Sequence, residues 1–443
     1  MAKAKSKKIT IEEALVPVDE QPYQIPDNWC WVYGKSIFND METKKPSGDT
    51  FRYIDIDSID NVNQRVTEPK ITETAKAPSR ASRKLHAGDT VFSMVRPYLK
   101  NIAYISEDLS NCIASTGFYI CTPKEIIDSK YLYQLMISPY VVDGLNMFMK
   151  GDNSPSVRKD DIEGFVYPLP PLSEQKRIVE QIESLFAKLN EAKSKVEDAL
   201  EEYTNNKAAI MHAAFKGYLT EKWREANNIS LDNWQHTTMG KIAKFHQGVQ
   251  VPVNEQYDSI SDDRIRFIRI IDYTQGSEEP RYIAKTKASQ DTYVTGSEIV
   301  MVRYGASAGF VGDGIEGVIA NNMFTITVDK ELTEYVKLYL RSPHMYKLLN
   351  GSGGSSAMPA LNFKVVSQIE IDIPDKVERE QIIKSLIPII ENYEKTESIY
   401  ENILIQIELM KKSILAKAFR GELGTNNPEE EPAIELLKGV LEA

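Results

Sequence analysis

The chain has 443 residues, enough for about three domains of ordinary size. It carries 53 lysines and arginines against 64 aspartates and glutamates, so its net charge of −11 excludes a histone-like or ribosomal basic protein. Hydrophobic residues make up 42% and charged residues 26%, a composition typical of globular rather than disordered chains. Nucleic-acid binding stays possible, because an acidic chain can carry a local basic face.

No pattern of membrane insertion, metal binding or disulfide pairing is visible. No apolar run approaches the roughly 18–20 residues of a membrane span, and the basic N-terminus lacks the apolar region of a secretory signal. Cys30, Cys112 and Cys121 form no CxxC pair, and the five histidines lack zinc-site spacing. We therefore expect a cytoplasmic, reduced protein without a bound metal.

Five short segments recur in the same order, about 205 residues apart. The pairs are Asp27–Trp29 with Asp232–Trp234, Met94–Arg96 with Met301–Arg303, Cys112–Ala114 with Val318–Ala320, Ser138–Pro139 with Ser342–Pro343, and Ala214–Gly217 with Ala418–Gly421. One such match could arise by chance, but five in one order predict a duplicated unit. The unit is far longer than a solenoid repeat, so each copy is expected to contain a domain and an additional segment.

The additional segment is predicted to be a long helix. Apolar or small residues alternate at steps of four and three from Ile178 to Tyr203 and again from Leu386 to Ile414, as in a heptad repeat. We expect the two helices to pair with each other, and Pro388 to kink or restart the second. The alternative is two amphipathic helices packed into separate cores. The residues predicted to pair are Ile182, Leu185, Leu189, Val196, Ile403, Ile407 and Met410.

The segments 24–172 and 231–374 have the pattern of mixed α/β domains. Strands are predicted from Phe51, Thr90 and Ile113 in the first and from Ile265, Glu298 and Gly317 in the second. Helices are predicted from Lys130 and from Glu334, each ending at a Ser-Pro pair. The segment after Gly421 contains three consecutive glutamates and is expected to be a solvated tail.

No catalytic signature of weight is present. Gly34-Lys35-Ser36 resembles the end of a phosphate-binding loop, but Trp29 stands where the first glycine belongs. The glycines between Gly305 and Gly314 lack dinucleotide-binding spacing. In so long a chain, this pattern favours a recognition or scaffold protein over an enzyme.

Several basic and polar residues are candidates for DNA contact, because Lys and Arg hold phosphates while Arg, Asn and Gln read base edges. A basic cluster precedes Gly88, and a second group follows the strand from Thr90. In the second copy, Arg264, Arg266 and Arg269 are expected to lie on one face of a strand, and Arg303 opens a loop of small residues. The candidates are Lys76, Arg80, Arg83, Lys84, Arg96, Tyr98, Lys100, Asn101, Arg266, Arg269, Arg303 and Tyr304.

The chain resembles the specificity subunits of type I restriction–modification systems. The resemblance rests on PLPPLSEQKRI from Pro168, on GYLTEKWR from Gly217, and on the repeated order of Trp entry, domain and helix. It implies a mixed α/β fold with an internal pseudo-two-fold repeat, in which two long antiparallel coiled-coil helices separate two target-recognition domains. The segments would then be an N-terminal arm (1–23), a first target-recognition domain (24–172), a central helical spacer (173–230), a second target-recognition domain (231–374), a C-terminal helical spacer (375–424) and an acidic tail (425–443).

The resemblance also implies a function. Each domain would read one half of a bipartite, asymmetric DNA site, and the helices would hold two adenine-N6 methyltransferase subunits, through which restriction subunits join. The partners, not this chain, would use S-adenosylmethionine, ATP and magnesium. Two alternatives stay open: a coiled-coil scaffold without a DNA role, and a DNA enzyme whose motifs are not recognisable.

Overall fold

The computed structural model describes residues 9–274, 276, 279–305, 307–351 and 361–442. The chain divides into two compact units, one formed by residues 1–195 with 402–443 and the other by residues 196–401. Residues 1–8 of the predicted N-terminal arm lie outside the described residues.

The first unit contains a mixed α/β domain whose strands lie between residues 30 and 169. Its strands are β1 (Cys30–Tyr33), β2 (Thr50–Ile54), β3 (Ile59–Asp60), β4 (Arg65–Val66), β5 (Lys70–Glu73), β6 (Ala81–Lys84), β7 (Thr90–Ser93), β8 (Ile102–Tyr104), β9 (Ile113–Ser115), β10 (Phe118–Cys121) and β11 (Val166–Leu169). Its helices are α1 (Ile11–Ala14), α2 (Gly34–Ile37), α3 (Ser129–Met136), α4 (Pro139–Asn146) and α5 (Lys159–Gly164).

The strands of this domain form two main sheets and two pairs. One sheet has the order β5-β2-β9-β6, with β2 and β9 parallel, and the other has the antiparallel order β10-β7-β8. The remaining pairs are β3 with β4 and β1 with β11. Because Cys30 lies opposite Leu169, the β1–β11 pair brings the two ends of the domain together.

Helix α6 (Leu172–Phe215) follows, and the second unit contains a domain between residues 235 and 373. Its strands are β12 (Gln235–Thr238), β13 (Ala243–Gln247), β14 (Arg264–Ile268), β15 (Arg281–Ala284), β16 (Tyr293–Val294), β17 (Ile299–Val302), β18 (Val311–Asp313), β19 (Gly317–Ile319), β20 (Met323–Val328) and β21 (Glu370–Ile373). Its helices are α7 (Glu221–Asn227), α8 (Met239–Ile242), α9 (Ile270–Thr274), α10 (Thr333–Leu340), α11 (Pro343–Gly351) and α12 (Phe363–Ser367), and α13 (Lys376–Ala418) and α14 (Ala433–Glu442) complete the chain.

The second domain repeats the strand order of the first, with one additional strand, β13, at the edge of its antiparallel sheet. Its sheets have the orders β15-β14-β19-β16 and β13-β20-β17-β18, again with one parallel pair, β14 with β19. The antiparallel pair β12–β21 closes it as β1–β11 closes the first. The internal repeat and the mixed α/β fold predicted from the sequence are therefore confirmed.

Several element boundaries differ from the sequence-based expectation. The strands predicted from Ile113 and from Gly317 are each two strands joined by a turn, and the strand predicted from Ile265 stops at Ile268. Pro139 and Pro343 begin new helices as well as ending the preceding ones, because proline fits the first turn of a helix, where its missing N–H is not needed.

The two long helices pair antiparallel within each unit. In the first unit Lys193 forms an ion pair with Glu408 at 3.2 Å, and Ile182 shares a buried cluster with Leu415. In the second unit the rings of Tyr203 and Tyr400 are 5.9 Å apart, and Lys207 pairs with Glu397 at 3.0 Å. Partner numbers fall along α13 as they rise along α6.

The inward face of α13 departs from the predicted heptad seam at two positions. Ile407 is buried as predicted, but Ile403 and Met410 are 38% and 51% exposed, and Leu404 and Lys411 take the inward positions beside it. The prediction that Ile403 and Met410 pair is therefore wrong. On α6, Ile182 is buried and Leu185, Leu189 and Val196 are half-buried.

Helix α13 runs through Pro388 without a break. Ile382 and Leu386, in the turns before the proline, are completely buried in the core of the second unit. Their burial anchors the turns before the proline in the core, and the restart expected at Pro388 does not occur.

The predicted solvated tail is partly buried. In α14, Ala433 and Leu437 belong to the main core of the first unit, with exposed fractions of 1% and 0%. Glu430 accepts two hydrogen bonds from the Arg177 guanidinium, at 2.7 and 2.8 Å, and those bonds lower the pKa of its carboxyl. The expectation of a solvated tail is wrong because the apolar residues of α14 lie on one helix face and pack into the core of the first unit.

Among the described residues, no helix is both long enough and apolar enough to cross a membrane.

Candidate nucleic-acid interface

In each domain, three loops meet at one end of the sheet that contains β7 or β17. In the first domain they are residues 94–101, 116–117 and 153–156, which we call the first loop end. The Met94 amide donates to the Gly117 carbonyl at 2.9 Å, and the Arg96 amide donates to the Pro155 carbonyl at 2.8 Å. These backbone bonds fix the three loops against each other.

Four predicted residues lie in the first loop end. Arg96 and Lys100 flank a 3-10 turn, Pro97–Leu99, with positive φ angles of 48° and 56°. The Arg96 guanidinium is exposed and donates to the Asn153 carbonyl at 2.8 Å, while Tyr98 is 46% exposed. Asn101 is buried, so of the four it is the least accessible to a ligand.

Lys100 lies toward helix α13 of the same unit. Burial, and next the nearby Lys412 ammonium, lower the pKa of Lys100, while Asp143 and Glu408 act in the opposite direction. Because Lys100 is half-buried, its ammonium is less accessible to phosphate than the guanidinium of the exposed Arg96.

The four basic residues before Gly88 do not lie together, because β6 separates Arg80 at its start from Lys84 at its end. The Arg80 side chain is exposed, and its carbonyl accepts from the Thr116 amide at 2.8 Å, which places Arg80 beside the first loop end. Lys84, at the other end of the strand, forms an ion pair with Glu42 at 2.6 Å. Lys76 forms an exposed pair with Glu73 at 2.9 Å.

Arg83 is half-buried, and burial lowers the pKa of its guanidinium. Its Nε is enclosed without a hydrogen-bond partner among the described residues. Of the β6 cluster, the structure thus brings only Arg80 together with Arg96.

The second loop end consists of residues 303–310, 320–322 and 361, with Ala306 outside the described residues. The Arg303 amide donates to the Asn322 carbonyl at 2.8 Å, and its guanidinium Nε donates to the Leu361 carbonyl at 3.2 Å. Only 9% of Arg303 is exposed, whereas the adjacent Tyr304 is 40% exposed. The Arg303 guanidinium thus binds the loops to each other, and Tyr304 faces outward.

Arg266 and Arg269 do not form the predicted cationic face with Arg264. Strand β14 ends at Ile268, and Arg269 has the opposite parity to the other two arginines, so the prediction of three cations on one face is wrong. Arg266 and Arg269 both lie beside the Asp272 carboxylate, at 3.7 and 3.4 Å. The Arg264 guanidinium stacks 3.8 Å from the Tyr257 ring centroid.

Sequence reasoning missed a buried carboxylate at the start of each long helix. Glu174 accepts from the Trp29 indole N–H at 2.7 Å and from the Asn426 amide at 2.9 Å. Glu174, at the start of α6, therefore holds two other segments. These are the entry of the first domain, through Trp29, and the segment that follows α13, through Asn426. The sequence did contain a signal for this contact, because Trp29 belongs to the repeated segments and Glu174 to the PLPPLSEQKRI segment.

The second unit repeats this arrangement with a charged partner. Glu378 accepts from the Trp234 indole at 2.8 Å and from the Thr220 hydroxyl at 2.7 Å. The Arg224 guanidinium, in the segment that follows α6, donates to the same carboxylate at 2.6 Å. These buried networks hold the ends of each helix pair against the domain beside them.

Among the described residues, no group of His, Cys, Asp and Glu has the arrangement of a metal site.

Comparison with known proteins places these features in a family. A family model described as "Type I restriction modification DNA specificity domain" matches residues 34–202 and again 232–409. The specificity subunit of the type I restriction enzyme EcoBI from Escherichia coli is 26% identical over 290 residues, 61% of this chain and 61% of that subunit. That of EcoKI from Escherichia coli strain K12 is 22% identical over 332 residues, 71% of this chain and 69% of that subunit.

A solved structure supports the fold. A chain from work described as "Structural basis underlying complex assembly and conformational transition of the type I R-M system" is 24% identical, with a TM-score of 0.72, over 91% of this chain and all of that one. The alignments with the EcoBI and EcoKI subunits span 61% and 69% of those subunits' own lengths.

Proposed function

Because the chain belongs to the family of type I restriction–modification DNA specificity domains, we propose that it is the sequence-reading subunit of such a complex. Each domain reads one half of a bipartite, asymmetric double-stranded DNA site. The chain supplies recognition and carries out no catalytic step itself.

One observation carries this proposal: two domains of one topology present exposed recognition residues at equivalent loop ends, but the residues differ. The first loop end offers Arg96 and Tyr98, with Arg80 beside it, and the second offers Tyr304. Arginine holds phosphates or reads guanine, and the aromatic rings supply apolar contact. Two similar scaffolds with different side chains fit two different half-sites.

The long helices are the proposed scaffold for two adenine-N6 methyltransferase subunits, through which restriction subunits join. Ile405 and Leu409 of α13 are 56% and 48% exposed and lie one turn apart, away from the face that includes Leu404 and Ile407. Apolar side chains so exposed on a helix fit a docking surface for another protein. The partners bring S-adenosylmethionine, ATP and magnesium, and the complex acts in the cytoplasm.

A methyl-transfer assay separates this function from that of an enzyme. The purified chain is incubated with labelled S-adenosylmethionine and DNA, alone and with its methyltransferase partner. We expect label in DNA only when the partner is present, and methyl transfer by the chain alone would contradict the proposal.

Alanine at Arg96 is expected to weaken DNA binding by the complex for all sequences. Loss of one phosphate contact reduces the slope of log affinity against log salt by about one. The slope is measured by titrating duplex DNA at several salt concentrations. Lys84→Ala is the matched control, because its ammonium is already paired with Glu42, and it should leave the slope unchanged.

A scaffold without a DNA role predicts that neither substitution changes binding. An unchanged salt slope in the Arg96 variant would remove Arg96 from the interface.

A further inference from the structure

The turn between β19 and β20 is held against the segment that follows β13. The Val249 amide donates to the Ile319 carbonyl at 2.9 Å, and the Asn321 amide donates to the Val249 carbonyl at 2.8 Å. A Cβ at Gly248 would lie 2.3 Å from the carbonyl oxygens of Ile319 and Ala320, so only glycine permits this approach. The close approach gives both chain segments a fixed relative position.

This contact places two side-chain amides together at the surface. The Asn321 Nδ2 donates to the Gln250 Oε1 at 3.3 Å, and Gln250 is exposed while Asn321 is half-buried. The Gln247 amide donates to the Asn321 carbonyl at 3.2 Å and supports the turn from the other side. This bond leaves the Gln250 amino group available as a donor and the Asn321 Oδ1 as an acceptor, and it also leaves the second N–H of Asn321 and the second lone pair of Gln250 Oε1.

The donor and acceptor persist whichever way the amides are oriented. If both are turned over, Gln250 donates to Asn321, and the remaining acceptor and donor change places between the two residues. In either orientation the pair keeps one amide oxygen and one amide NH2 group that the bond between Gln250 and Asn321 does not use.

We propose that the Gln250–Asn321 pair reads an adenine in the half-site bound by the second domain. In the major groove adenine presents the N7 acceptor beside the N6 amino donor, which complements one donor beside one acceptor. Guanine presents two acceptors there, so it leaves the unused amide oxygen of the pair without a donor, and cytosine and thymine each present one group. This inference rests on the proposed function and names one base class within it.

The position of the pair supports this role. The Asn321 carbonyl lies 3.5 Å from Nη1 of Arg303, and the exposed Tyr304 follows Arg303 in the chain, so the pair belongs to the second loop end. The strand registers of the two domains place Thr116 of the first domain where Asn321 stands in the second. Thr116 carries a hydroxyl group and no side-chain amide, so the first domain lacks this reader.

The test uses the full chain with its methyltransferase partner in a host, and reads the methylated motif genome-wide. Gln250→Ala and Asn321→Ser each remove one amide. Gln235→Ala removes an exposed glutamine from β12 of the same domain and serves as the control. Thermal unfolding of each purified variant checks that it folds.

In both variants we expect one adenine position of one half-site to relax, with discrimination there falling roughly 5- to 150-fold. The other half-site, the gap and the control motif should stay unchanged. If one variant fails to fold, the other decides the outcome. An unchanged motif in a folded variant, or relaxation at a position that is not adenine, would overturn the inference. If the wild-type complex gives no sequence-specific motif at all, the proposed function fails instead.

Discussion

Replacing Glu378 by alanine is expected to lower the free energy of unfolding of the second unit by about 3–5 kcal/mol. The carboxylate is completely buried, and Arg224, its ion-pair partner at 2.6 Å, is almost completely buried as well. Its removal leaves the guanidinium without a counter-ion and the Trp234 indole without its acceptor. The measurement is urea denaturation of the purified chain.

Glu174→Ala in the first unit is the matched comparison. Glu174 is buried to the same extent, but the hydrogen bonds it accepts come from neutral donors, the indole of Trp29, the hydroxyl of Thr425 and the amide of Asn426. Its loss leaves unpaired donors but no unpaired cation, so we expect a smaller cost, about 1–3 kcal/mol. An equal or greater cost at Glu174 would show that the charge of Arg224 does not determine the difference.

Exchange of residues 34–165 for the corresponding part of another family member is expected to change one half-site only. The junctions fall between β1 and β11, where the ends of the domain meet in a single antiparallel pair, so Trp29 and Glu174 stay in place. The donor domain should keep a tyrosine at the place of Tyr131, whose ring lies 5.5 Å from that of Phe419. Sequencing of the methylated motif measures the outcome.

The reciprocal exchange, of residues 239–369 between β12 and β21, serves as the control. It should change the other half-site and leave the first unchanged. If either exchange alters both half-sites, the domains do not read DNA independently.

The repeat was visible in the sequence because the same residue types recur at corresponding places in the two copies. The recurring Trp and Phe-Lys/Arg-Gly segments correspond to the domain entries and helix ends, and both domains share one topology. Helix existence and length also followed from periodicity, since a stripe of apolar residues must be buried.

Two inward positions of the second helix could not be read in the same way. Its true inward positions include Glu397 and Lys411, whose charged heads lie beside Lys207 and Glu408. Apolar residues stand one position away from the inward face at Ile403 and Met410, so hydrophobicity alone selects the wrong residue at these two positions. Long charged side chains bury their stems at helix contacts, which sequence patterns do not register.

The candidate interface was only partly predictable for a related reason. Charge identified Arg80 and Arg96, but it also identified Lys84, Arg266 and Arg269. Lys84 pairs with Glu42, which is distant in sequence, and the two arginines pair with Asp272, just beyond the strand. The uncharged amides of Gln250 and Asn321 come together through a backbone contact at Gly248, and nothing in their spacing indicates it.

The most direct test of the account is the methylated motif of a host that carries this chain and its methyltransferase partner, compared with a host in which the gene for this chain is deleted. We expect adenine methylation at one bipartite motif with two different half-sites and a fixed gap, and its complete loss in the deletion. Methylation that persists in the deletion, or a motif with a single continuous or symmetric site, would contradict the account.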